Sequence, residues 1–251
     1  MPNIPLKPGE RIDDLMRSGL KIIQSDASFA FSMDAVLLAH FASLKRGDRV
    51  CDLGTGTGVI PLLLSARRDL GELVGVEIQE GVAEMAGRSI ALNGLNELIR
   101  IVHLDLKLAP ERLGANQFDL VVSNPPYAPR GGGIVNPDQP KAIARHEIHC
   151  TLSDILAVTK RLLKPQGRLA MVHRPARLAE IIVGMREVGI EPKRLRLVYP
   201  KLDQRPNMLL IEGLKGGRPE MIVEPPLVVY QQSGEYTPEL LEVYFGGEPD
   251  E

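Results

Sequence analysis

The stretch Arg49-Val50-Cys51-Asp52-Leu53-Gly54-Thr55-Gly56-Thr57-Gly58 decides the predicted fold. Its first five residues have the composition of a short buried strand, and the apolar run from Gly58 to Arg68 predicts a helix. The glycines between them permit a tight turn that lets the backbone approach a ligand, and the helix N-terminus supplies free N–H groups. A lone G-x-G-x-G pattern is weak and is also compatible with a dinucleotide. The turn therefore predicts a small-molecule site without naming the ligand.

Two acidic residues narrow the choice of ligand. Asp52 immediately precedes the glycines, where a carboxylate would repel a nucleotide diphosphate but attract a ligand that carries an ammonium and a sulfonium. Glu77 ends the next predicted strand, 19 residues after Gly58, where an acid commonly accepts both ribose hydroxyls of an adenine cofactor. The residues that we assign to cofactor binding in this region are Asp52, Gly54, Thr55, Gly56, Gly58 and Glu77.

Three further residues are expected beside the adenine ring of such a cofactor. Ile78 follows Glu77 directly and would line the ring. Asp105, just past the third predicted strand, would accept a hydrogen bond from the adenine amino group, and Leu106 next to it is assigned to the same pocket. A plain acid in a surface loop is the alternative interpretation of Asp105.

Strand and helix patterns alternate from residue 48 onward. Strands are predicted at 49–53, 73–77, 99–104, 118–122, 168–173, 195–199 and 208–213, and helices at 58–68, 79–92, 152–163 and 177–188. This alternation predicts an α/β fold, a doubly wound Rossmann-like sheet that is mostly parallel with an antiparallel last strand. We expect residues 1–44 to be an extension, irregular up to residue 31, that packs on a domain of residues 45–251. The Pro/Gly-rich segment after Gly216 is expected to be loosely ordered.

The fourth predicted strand, Phe118–Val122, leads into the tetrapeptide Asn124-Pro125-Pro126-Tyr127. The prolines fix φ and lack N–H groups, so the strand ladder cannot continue, and Asn124 is held extended because a proline follows it. The strand end then presents acceptors for an –NH₂ group and an aromatic platform for a flat ring. The alternative is that these residues only form a loop. Residues 128–149 follow as a long insertion placed to cover the site.

The chain resembles the class I S-adenosylmethionine-dependent methyltransferases over residues 45–214. The segment from Asp52 to Gly58, together with Glu77, carries this resemblance. It implies S-adenosylmethionine as the cofactor and places the end of the fourth strand at the reaction centre. The tetrapeptide from Asn124 to Tyr127 is similar to that of methyltransferases which act on a planar, conjugated nitrogen. In that role Asn124 and the Pro125 carbonyl would accept from the substrate –NH₂, and Tyr127 would stack on its ring.

Family-level detail extends the resemblance over most of the chain. The sequence is similar to bacterial tRNA1(Val) adenine-N6 methyltransferases at residues 21–24, 29–38, 144–147 and 163–167. The members methylate the adenosine just 3′ of the anticodon in the valine tRNA. The resemblance implies that Phe31, Ser32 and Asp34 lie near the cofactor, although a plain helix cap explains Asp34 equally well. The cluster Arg145-His146-Glu147 would contact RNA phosphate or brace the loop.

Composition limits the remaining possibilities. The chain has 251 residues, of which 44% are hydrophobic and 25% charged, as in ordinary soluble globular proteins. We found no membrane-spanning or signal-peptide pattern, so we expect a cytoplasmic protein without membrane partners. Cys51 and Cys150 lack metal-ligand spacing, and we expect no metal. We expect a monomer or a weak homodimer.

Basic residues are distributed unevenly along the chain. The net charge is −2, but residues 141–218 hold 16 basic and 7 acidic residues. This excess fits either a polyanion-binding face or a solvated helix surface. The basic residues that cluster in sequence are Arg174, Arg177, Lys193, Arg194 and Arg196. Aromatic residues make up 4% of the chain and Trp is absent, which predicts little base stacking and favours a folded RNA.

Our prediction is therefore methylation of adenine N6 in RNA, most simply in a tRNA. One alternative is a protein glutamine N5-methyltransferase, although residues 1–44 are too short for the helical domain usual in those enzymes. Another is a DNA adenine-N6 methyltransferase, but we identify no target-recognition domain. A third is a non-catalytic cofactor-binding module associated with RNA. Intact Asp52, Glu77 and Asn124 argue against this last alternative.

Overall fold

A computed structural model describes residues 4–25, 32–125 and 150–246. The first half of the chain forms these elements: β1 Glu10–Asp14, β2 Lys21–Ser25, α1 Met33–Phe41, β3 Arg49–Leu53, α2 Val59–Ser65, β4 Glu72–Glu77, α3 Glu80–Leu92, β5 Ile99–His103, a 3-10 turn Leu106–Leu108, α4 Ala109–Leu113 and β6 Phe118–Ser123. The second half forms α5 Leu152–Leu162, β7 Leu163–His173, a 3-10 turn Pro175–Arg177, α6 Leu178–Glu187, β8 Ile190–Tyr199, β9 Met208–Lys215, β10 Ile222–Val223, β11 Leu227–Val228 and α7 Pro238–Phe245.

The central sheet has the order β10-β8-β9-β7-β6-β3-β4-β5, and β11 also pairs with β8. Strands β3 to β7 are parallel to their neighbours among themselves, whereas β9 is antiparallel to both β7 and β8. The predicted α/β class, the mostly parallel sheet and the antiparallel last strand are thus confirmed. The chain moves from β3 through β4 to β5 and then returns to place β6 on the other side of β3. This reversal creates a crevice at the carboxyl ends of β3 and β6, where open α/β sheets bind ligands.

Alternating side chains of the strands divide the core between the two faces of the sheet. Val50, Leu120 and Val122 belong to the cluster that includes the buried residues of α1, α2 and α7. Cys51 and Val121 belong to the cluster formed with α5 and α6. Because successive strand residues point to opposite faces, apolar residues at every position are required when helices cover both sides. This explains why β3 and β6 consist of nearly continuous apolar runs.

The expectation that residues 1–31 are irregular is wrong for residues 10–25. Strands β1 and β2 form an antiparallel hairpin. The side chains of α3 satisfy the backbone of β2: Ser89 Oγ accepts from Ile23 N (3.0 Å), and Asn93 both accepts from and donates to Lys21 (2.9 and 2.6 Å). Arg88 binds the Glu10 carboxylate at 2.5 Å. The hairpin depends on these tertiary partners, which explains why its polar first strand carries no local strand signal.

The expectation that the segment after Gly216 is loosely ordered is also wrong. Strands β10 and β11 pair in parallel with β8 and cover the edge of the sheet. Helix α7 begins after Thr237, whose Oγ1 accepts from Leu240 N (3.3 Å). Its residues Leu240 and Val243 are buried in the core. No helix in the part of the chain that the structure describes has the length and apolarity needed to span a membrane.

Candidate functional site

The glycine turn after β3 adopts a conformation that only glycine takes up readily. Gly54, Gly56 and Gly58 have φ values of +78°, +57° and +84°, in the left-handed region. The N–H groups of Gly54 and Thr55 both donate to the Val76 carbonyl, at 2.9 and 3.0 Å. The turn is therefore tied to the end of the neighbouring strand β4, and its shape is fixed before any ligand binds.

Glu77, at the carboxyl end of β4, braces this turn. Its Oε2 accepts from the backbone N–H of Gly56 (3.0 Å), and its Oε1 accepts from the N–H of Gln79 (2.9 Å). The residue is 5% exposed. These two bonds hold the buried carboxylate in one orientation while leaving lone pairs for further donors, since a carboxylate has about four acceptor sites.

Asp52 lies two strand positions after Val50, on the same face of β3. It is 1% exposed, and neither carboxylate oxygen has a hydrogen-bond partner among the described residues. Burial raises the pKa of the Asp52 carboxyl to about 7; the Thr55 hydroxyl opposes this shift and the charge of Glu77 adds to it. Thr55 stands near the carboxylate without reaching hydrogen-bond geometry. A buried acid without a partner costs free energy, and a cationic ligand would remove that cost.

Two residues that the sequence analysis missed hold the turn and the strands together. A Cβ at Gly75, in the middle of β4, would lie 2.8 Å from atoms of both Thr55 and Ile101. Ser123, at the end of β6, is buried and donates from Oγ to the Leu53 carbonyl at 2.9 Å. A glycine inside a strand pattern indicates a close approach of this kind, whereas no local signal distinguishes Ser123.

The ends of β4 and β5 bring together the residues expected beside an adenine ring. Leu104 N donates to the Glu77 carbonyl at 2.8 Å, and the Ile78 side chain is 40% exposed beside it. Asp105 caps the 3-10 turn by accepting from Lys107 N at 2.9 Å, and Leu106 is half-buried in that turn. The capping bond gives Asp105 a structural role, and it involves only Oδ1, so Oδ2 takes no part in it.

Asn124 and Pro125 follow β6, which lies directly beside β3. Asp52 is in register with Val122, so Asn124 is two residues beyond the partner of Asp52. Asn124 is half-buried and Pro125 is buried. The site residues Pro126, Tyr127 and Phe31 lie outside the described residues, as do residues 128–149 with Arg145-His146-Glu147.

The start of α1 contains the two other residues expected near the cofactor. Ser32 is the N-cap of α1 and makes no side-chain capping bond. Asp34 lies in the first turn and is half-buried. Burial raises the pKa of Tyr244 in α7 to about 12, and the charges of Tyr236 and Asp34 add to this shift. Asp34 therefore lies near α7.

The end of β7, adjacent to β6, carries a buried histidine followed by two arginines. Burial lowers the pKa of His173 to about 4, and the positive charge of Arg177 adds to this effect. His173 is thus neutral at neutral pH, and its Nδ1 accepts from Arg174 N at 2.8 Å. Arg177 binds Glu180 at 2.7 Å, and Arg174 donates to the Asn207 carbonyl at 3.2 Å.

Two members of the basic cluster of the sequence are used inside the fold. Arg194 binds Glu224 (2.7 Å) and donates to Ser43 Oγ (2.7 Å), while Arg196 binds Glu239. Their ion pairs make them poor candidates for an RNA-binding face, because binding a phosphate would require those pairs to open. Arg174 and Arg177, at the end of β7, lie nearer to Asn124, although the pair of Arg177 with Glu180 would also have to open before Arg177 could bind a phosphate.

Nothing in the described ranges indicates metal or thiolate chemistry. No group of three or more His, Cys, Asp or Glu residues within them is arranged to hold a metal ion. Burial raises the pKa of the Cys51 thiol well above its usual value and that of Cys150 to about 11. Both thiols are therefore protonated at neutral pH and are poor nucleophiles.

Comparison with known proteins adds independent findings on the family. The family described as "Methyltransferase small domain" matches residues 32–187. A tRNA1(Val) (adenine(37)-N6)-methyltransferase from Parabacteroides distasonis is 34% identical, covering 71% of this chain and 74% of that relative. The enzyme of the same name from Porphyromonas gingivalis strain W83 is 31% identical, with 87% and 88% of the two chains covered.

Solved structures show the same fold. A predicted O-methyltransferase from Agrobacterium tumefaciens has a TM-score of 0.70 at 24% identity and covers 87% of this chain and 98% of its own. A geranyl diphosphate C-methyltransferase from Streptomyces coelicolor, in complex with S-adenosyl-L-homocysteine, has a TM-score of 0.56 at 13% identity, with 72% and 74% covered. At these identities the likeness extends to the fold alone.

Proposed function

Because this chain belongs to the methyltransferase small domain family and matches tRNA1(Val) (adenine(37)-N6)-methyltransferases over most of its length, we propose that it methylates N6 of adenine 37 in a valine tRNA. It is an S-adenosylmethionine-dependent methyltransferase. The observation that carries the proposal is the placement of Asn124-Pro125, at the end of β6, beside the buried and unpaired Asp52 at the end of β3. A tRNA substrate also implies a cytoplasmic enzyme.

The residues at the crevice fit S-adenosylmethionine. When bound, this cofactor supplies a methyl group attached to a positively charged sulfur. Asp52 would provide the negative charge that the cofactor's cationic groups require, since its carboxylate is buried without a partner. The ordered turn at Gly54–Gly58 would approach the cofactor closely, and Glu77 would accept from its ribose hydroxyls while still holding Gly56. Ile78, Asp105 and Leu106 would surround the adenine.

Asn124 and Pro125 would orient the substrate nitrogen. The lone pair of an adenine amino group is delocalised into the ring, so the nitrogen is a poor nucleophile. Hydrogen bonds from its two N–H groups to the Asn124 side-chain oxygen and the Pro125 carbonyl would favour a pyramidal nitrogen. They would also direct the lone pair toward the methyl group. The rigid strand end keeps these acceptors in place, because Pro125 fixes its own φ and restrains Asn124.

The reaction needs no strongly basic side chain. As the new N–C bond forms, the nitrogen becomes positively charged and its proton becomes acidic, so the proton can pass to water while the oxygens of Asn124 and Pro125 accept hydrogen bonds from the N–H groups. His173, whose pKa is about 4, is neutral at neutral pH and adds no charge of its own beside the site. The residues act mainly by position and by partial charge.

The target base must be able to reach the crevice, and this requirement limits the kinds of RNA that can be substrates. A base in a duplex must leave its stack and its pair before it can reach the crevice, and this costs least in a single-stranded loop. The relatives are named for methylation of adenine 37, and a base in the anticodon loop is single-stranded and therefore satisfies that condition. Arg174 and Arg177, at the end of β7, would be close enough to the crevice to contact the loop's phosphates.

The direct test is methyl transfer from labelled S-adenosylmethionine to three substrates in parallel: unmodified total tRNA, a translation release factor and plasmid DNA. We expect label only in tRNA, recovered as N6-methyladenosine from a valine tRNA after nucleoside digestion. Label in the release factor or in DNA would contradict the proposed substrate while leaving the methyltransferase assignment intact. Transcripts of the valine tRNA with adenine 37 replaced by guanine should accept no label.

A further inference from the structure

Three of the seven aromatic residues in the described part of the chain form one continuous stack near the C-terminus, and a fourth packs against its end. Tyr230 and Tyr236 have ring centroids 5.3 Å apart with an interplanar angle of 23°, and Tyr236 and Tyr244 are 6.4 Å apart at 8°. Phe245 lies 6.1 Å from Tyr244 but is tilted by 42°, so it packs against the end of the stack without continuing it. Nearly parallel rings with centroids this far apart are displaced sideways, so part of each ring face stays uncovered. The exposed fractions are 40% for Tyr236 and 56% for Phe245.

The stack is held by a short hairpin and by a helix cap. Tyr230 and Tyr236 form an antiparallel bridge across a turn that contains Gly234, whose φ is +93°. Gln231 Nε2 donates to the Tyr236 carbonyl at 2.9 Å. Thr237 then caps α7 and donates from Oγ1 to the Val228 carbonyl at 2.6 Å. The rings are therefore positioned before any partner arrives, which reduces the entropy lost on binding.

This stack lies at the carboxyl ends of the strands, the same side of the sheet as Asn124. Tyr230 N donates to the Pro200 carbonyl at 2.8 Å, just beyond the end of β8. Strand β8 is parallel to β7 and β6 because both β8 and β7 are antiparallel to β9. Four inter-strand steps, β6 to β7, β9, β8 and β11, separate Asn124 from Tyr230. At about 4.8 Å per step this is about 19 Å, the length of a few nucleotides.

Two basic segments lie at the carboxyl ends of the strands between Asn124 and the aromatic stack. The segments 173–180 and 200–207 follow β7 and β8 and together hold Arg174, Arg177, Lys201 and Arg205 against Glu180 and Asp203. Arg205 is exposed and makes no ion pair within the described part of the chain. A strip of positive charge thus leads from the reaction centre to the aromatic stack.

We propose that the stack Tyr230-Tyr236-Tyr244, with Phe245 at its end, is a platform on which unpaired bases of the RNA loop stack while the target adenine occupies the crevice at Asn124. The proposal rests on the proposed function and adds a second binding element to it. Bases are the part of RNA that suits this surface, because their flat faces stack on tyrosine irrespective of sequence. The exposed Glu235 beside the rings would repel a phosphate, whereas the basic strip would attract one.

The proposal departs from the expectation of little base stacking that follows from the low aromatic content. The chain has only five Tyr and five Phe residues. Composition reports how many rings exist, whereas stacking depends on how many of them the fold places together. The C-terminal segment concentrates three of the five tyrosines into one surface.

The test compares the full-length protein with its Tyr236→Ala variant on an RNA stem-loop that reproduces the anticodon arm of a valine tRNA. We expect KM for the stem-loop to rise roughly ten-fold, the scale of one lost base–aromatic stack, with kcat and the affinity for S-adenosylmethionine unchanged. Tyr236→Phe keeps the ring and should behave as the unmodified protein. Leu241→Ala is the matched control, because Leu241 is 41% exposed on α7 and lies outside the ring stack.

A fluorescence measurement separates stacking from an indirect structural effect. The stem-loop is prepared with 2-aminopurine replacing one loop base at a time. We expect quenching of at least one 2-aminopurine on binding, lost in Tyr236→Ala and kept in Leu241→Ala. If the unmodified protein methylates tRNA but Tyr236→Ala changes neither KM nor quenching, the platform is wrong and the function stands. If the unmodified protein neither binds nor methylates the RNA, the proposed function itself is wrong. A homodimer that Tyr236→Ala dissociates would instead make this surface a protein interface and would also overturn the proposal.

Discussion

Charged side chains are paired at the amino ends of the parallel strands, whereas a buried carboxylate is left without a hydrogen-bond partner in the described part of the chain at the carboxyl ends. At the amino ends, charged groups that flank β3 and β6 form ion pairs: Asp48 binds Arg168 (2.5 Å), Asp119 binds Lys164 (2.8 Å) and Arg49 binds Glu72 (2.7 Å). These pairs link neighbouring strands and the loops that precede them. At the carboxyl ends, the Asp52 carboxylate is buried like that of Asp48 but has no hydrogen-bond partner among the described residues.

The difference separates a stabilising region from a binding region in one sheet. A buried charge with a good partner costs little, whereas the same charge alone is costly and persists only where a function retains it. The amino end therefore supports the fold, and the carboxyl end keeps an unsatisfied group for a ligand. Three substitutions test this contrast, in order of decreasing effect.

The largest expected effect is on stability at the amino end. Arg168→Met would leave Asp48 buried without its guanidinium, and we expect the free energy of unfolding to fall by about 3–5 kcal/mol. The side chains of Arg168 and Asp48 are only 10% and 7% exposed, so solvent screening is small. Denaturant unfolding at neutral pH measures this change.

The matched control for Arg168→Met is Arg46→Met at the same end of the sheet. Arg46 pairs with Asp69 at 3.5 Å, but both side chains are more than 80% exposed, and we expect a loss of less than about 1 kcal/mol. Equal losses for the two substitutions would mean that burial does not distinguish these pairs.

The next effect is on catalysis at the carboxyl end. Asn124→Ala removes an acceptor for the substrate amino group, so we expect turnover to fall roughly 10²–10³-fold, as for loss of one oriented transition-state partner. The stability and the affinity for S-adenosylmethionine should change little. Single-turnover methylation of tRNA measures the effect, with Asn96→Ala, an exposed asparagine before β5, as the control. Turnover near that of the unmodified protein would remove Asn124 from the mechanism.

The third substitution concerns Asp52, whose titration makes the stability of the ligand-free protein depend on pH. Its pKa is about 7 in the folded protein and 3.8 when unperturbed. The folded state thus binds the proton more tightly, so ligand-free stability falls as pH rises from about 4 to 7 and then levels off. Asp52→Asn should abolish this decline, which thermal unfolding across that pH range would record.

The same substitution should weaken cofactor binding by about ten-fold, or about 1.4 kcal/mol. A cationic ligand favours the ionised carboxylate, so the affinity of the unmodified protein for S-adenosylmethionine should increase up to about pH 7 and that of Asp52→Asn should not. Identical pH profiles for the two proteins would show that Asp52 does not face the cofactor's positive charge.

Much of the sheet could be predicted because its strands are buried on both faces. Strand β3 matches the predicted bounds of 49–53, and the other central strands differ by a few residues at their ends. Strand β7 begins at Leu163 rather than at residue 168, but residues 164–167 bulge out of the ladder: Phe118 pairs with Leu163 and Leu120 with Arg168, and Gln166 within the bulge has a φ of +61°. The hairpin β1–β2 and strands β10 and β11 could not be predicted, because partners distant in the sequence hold them in place.

The sequence by itself determined the local elements: a strand that ends in a glycine turn, an acid before that turn and another at the end of the next strand, and a strand that ends at Asn124-Pro125. Backbone sterics of glycine and proline and the periodicity of apolar residues act over a few residues, so they can be recognised without a structure. Only the tertiary structure decided that Val122 lies beside Asp52, that Asp52 has no partner and that Tyr230, Tyr236 and Tyr244 stack on one another. Those relations depend on strand order and on burial, which are set by the packing of the whole chain.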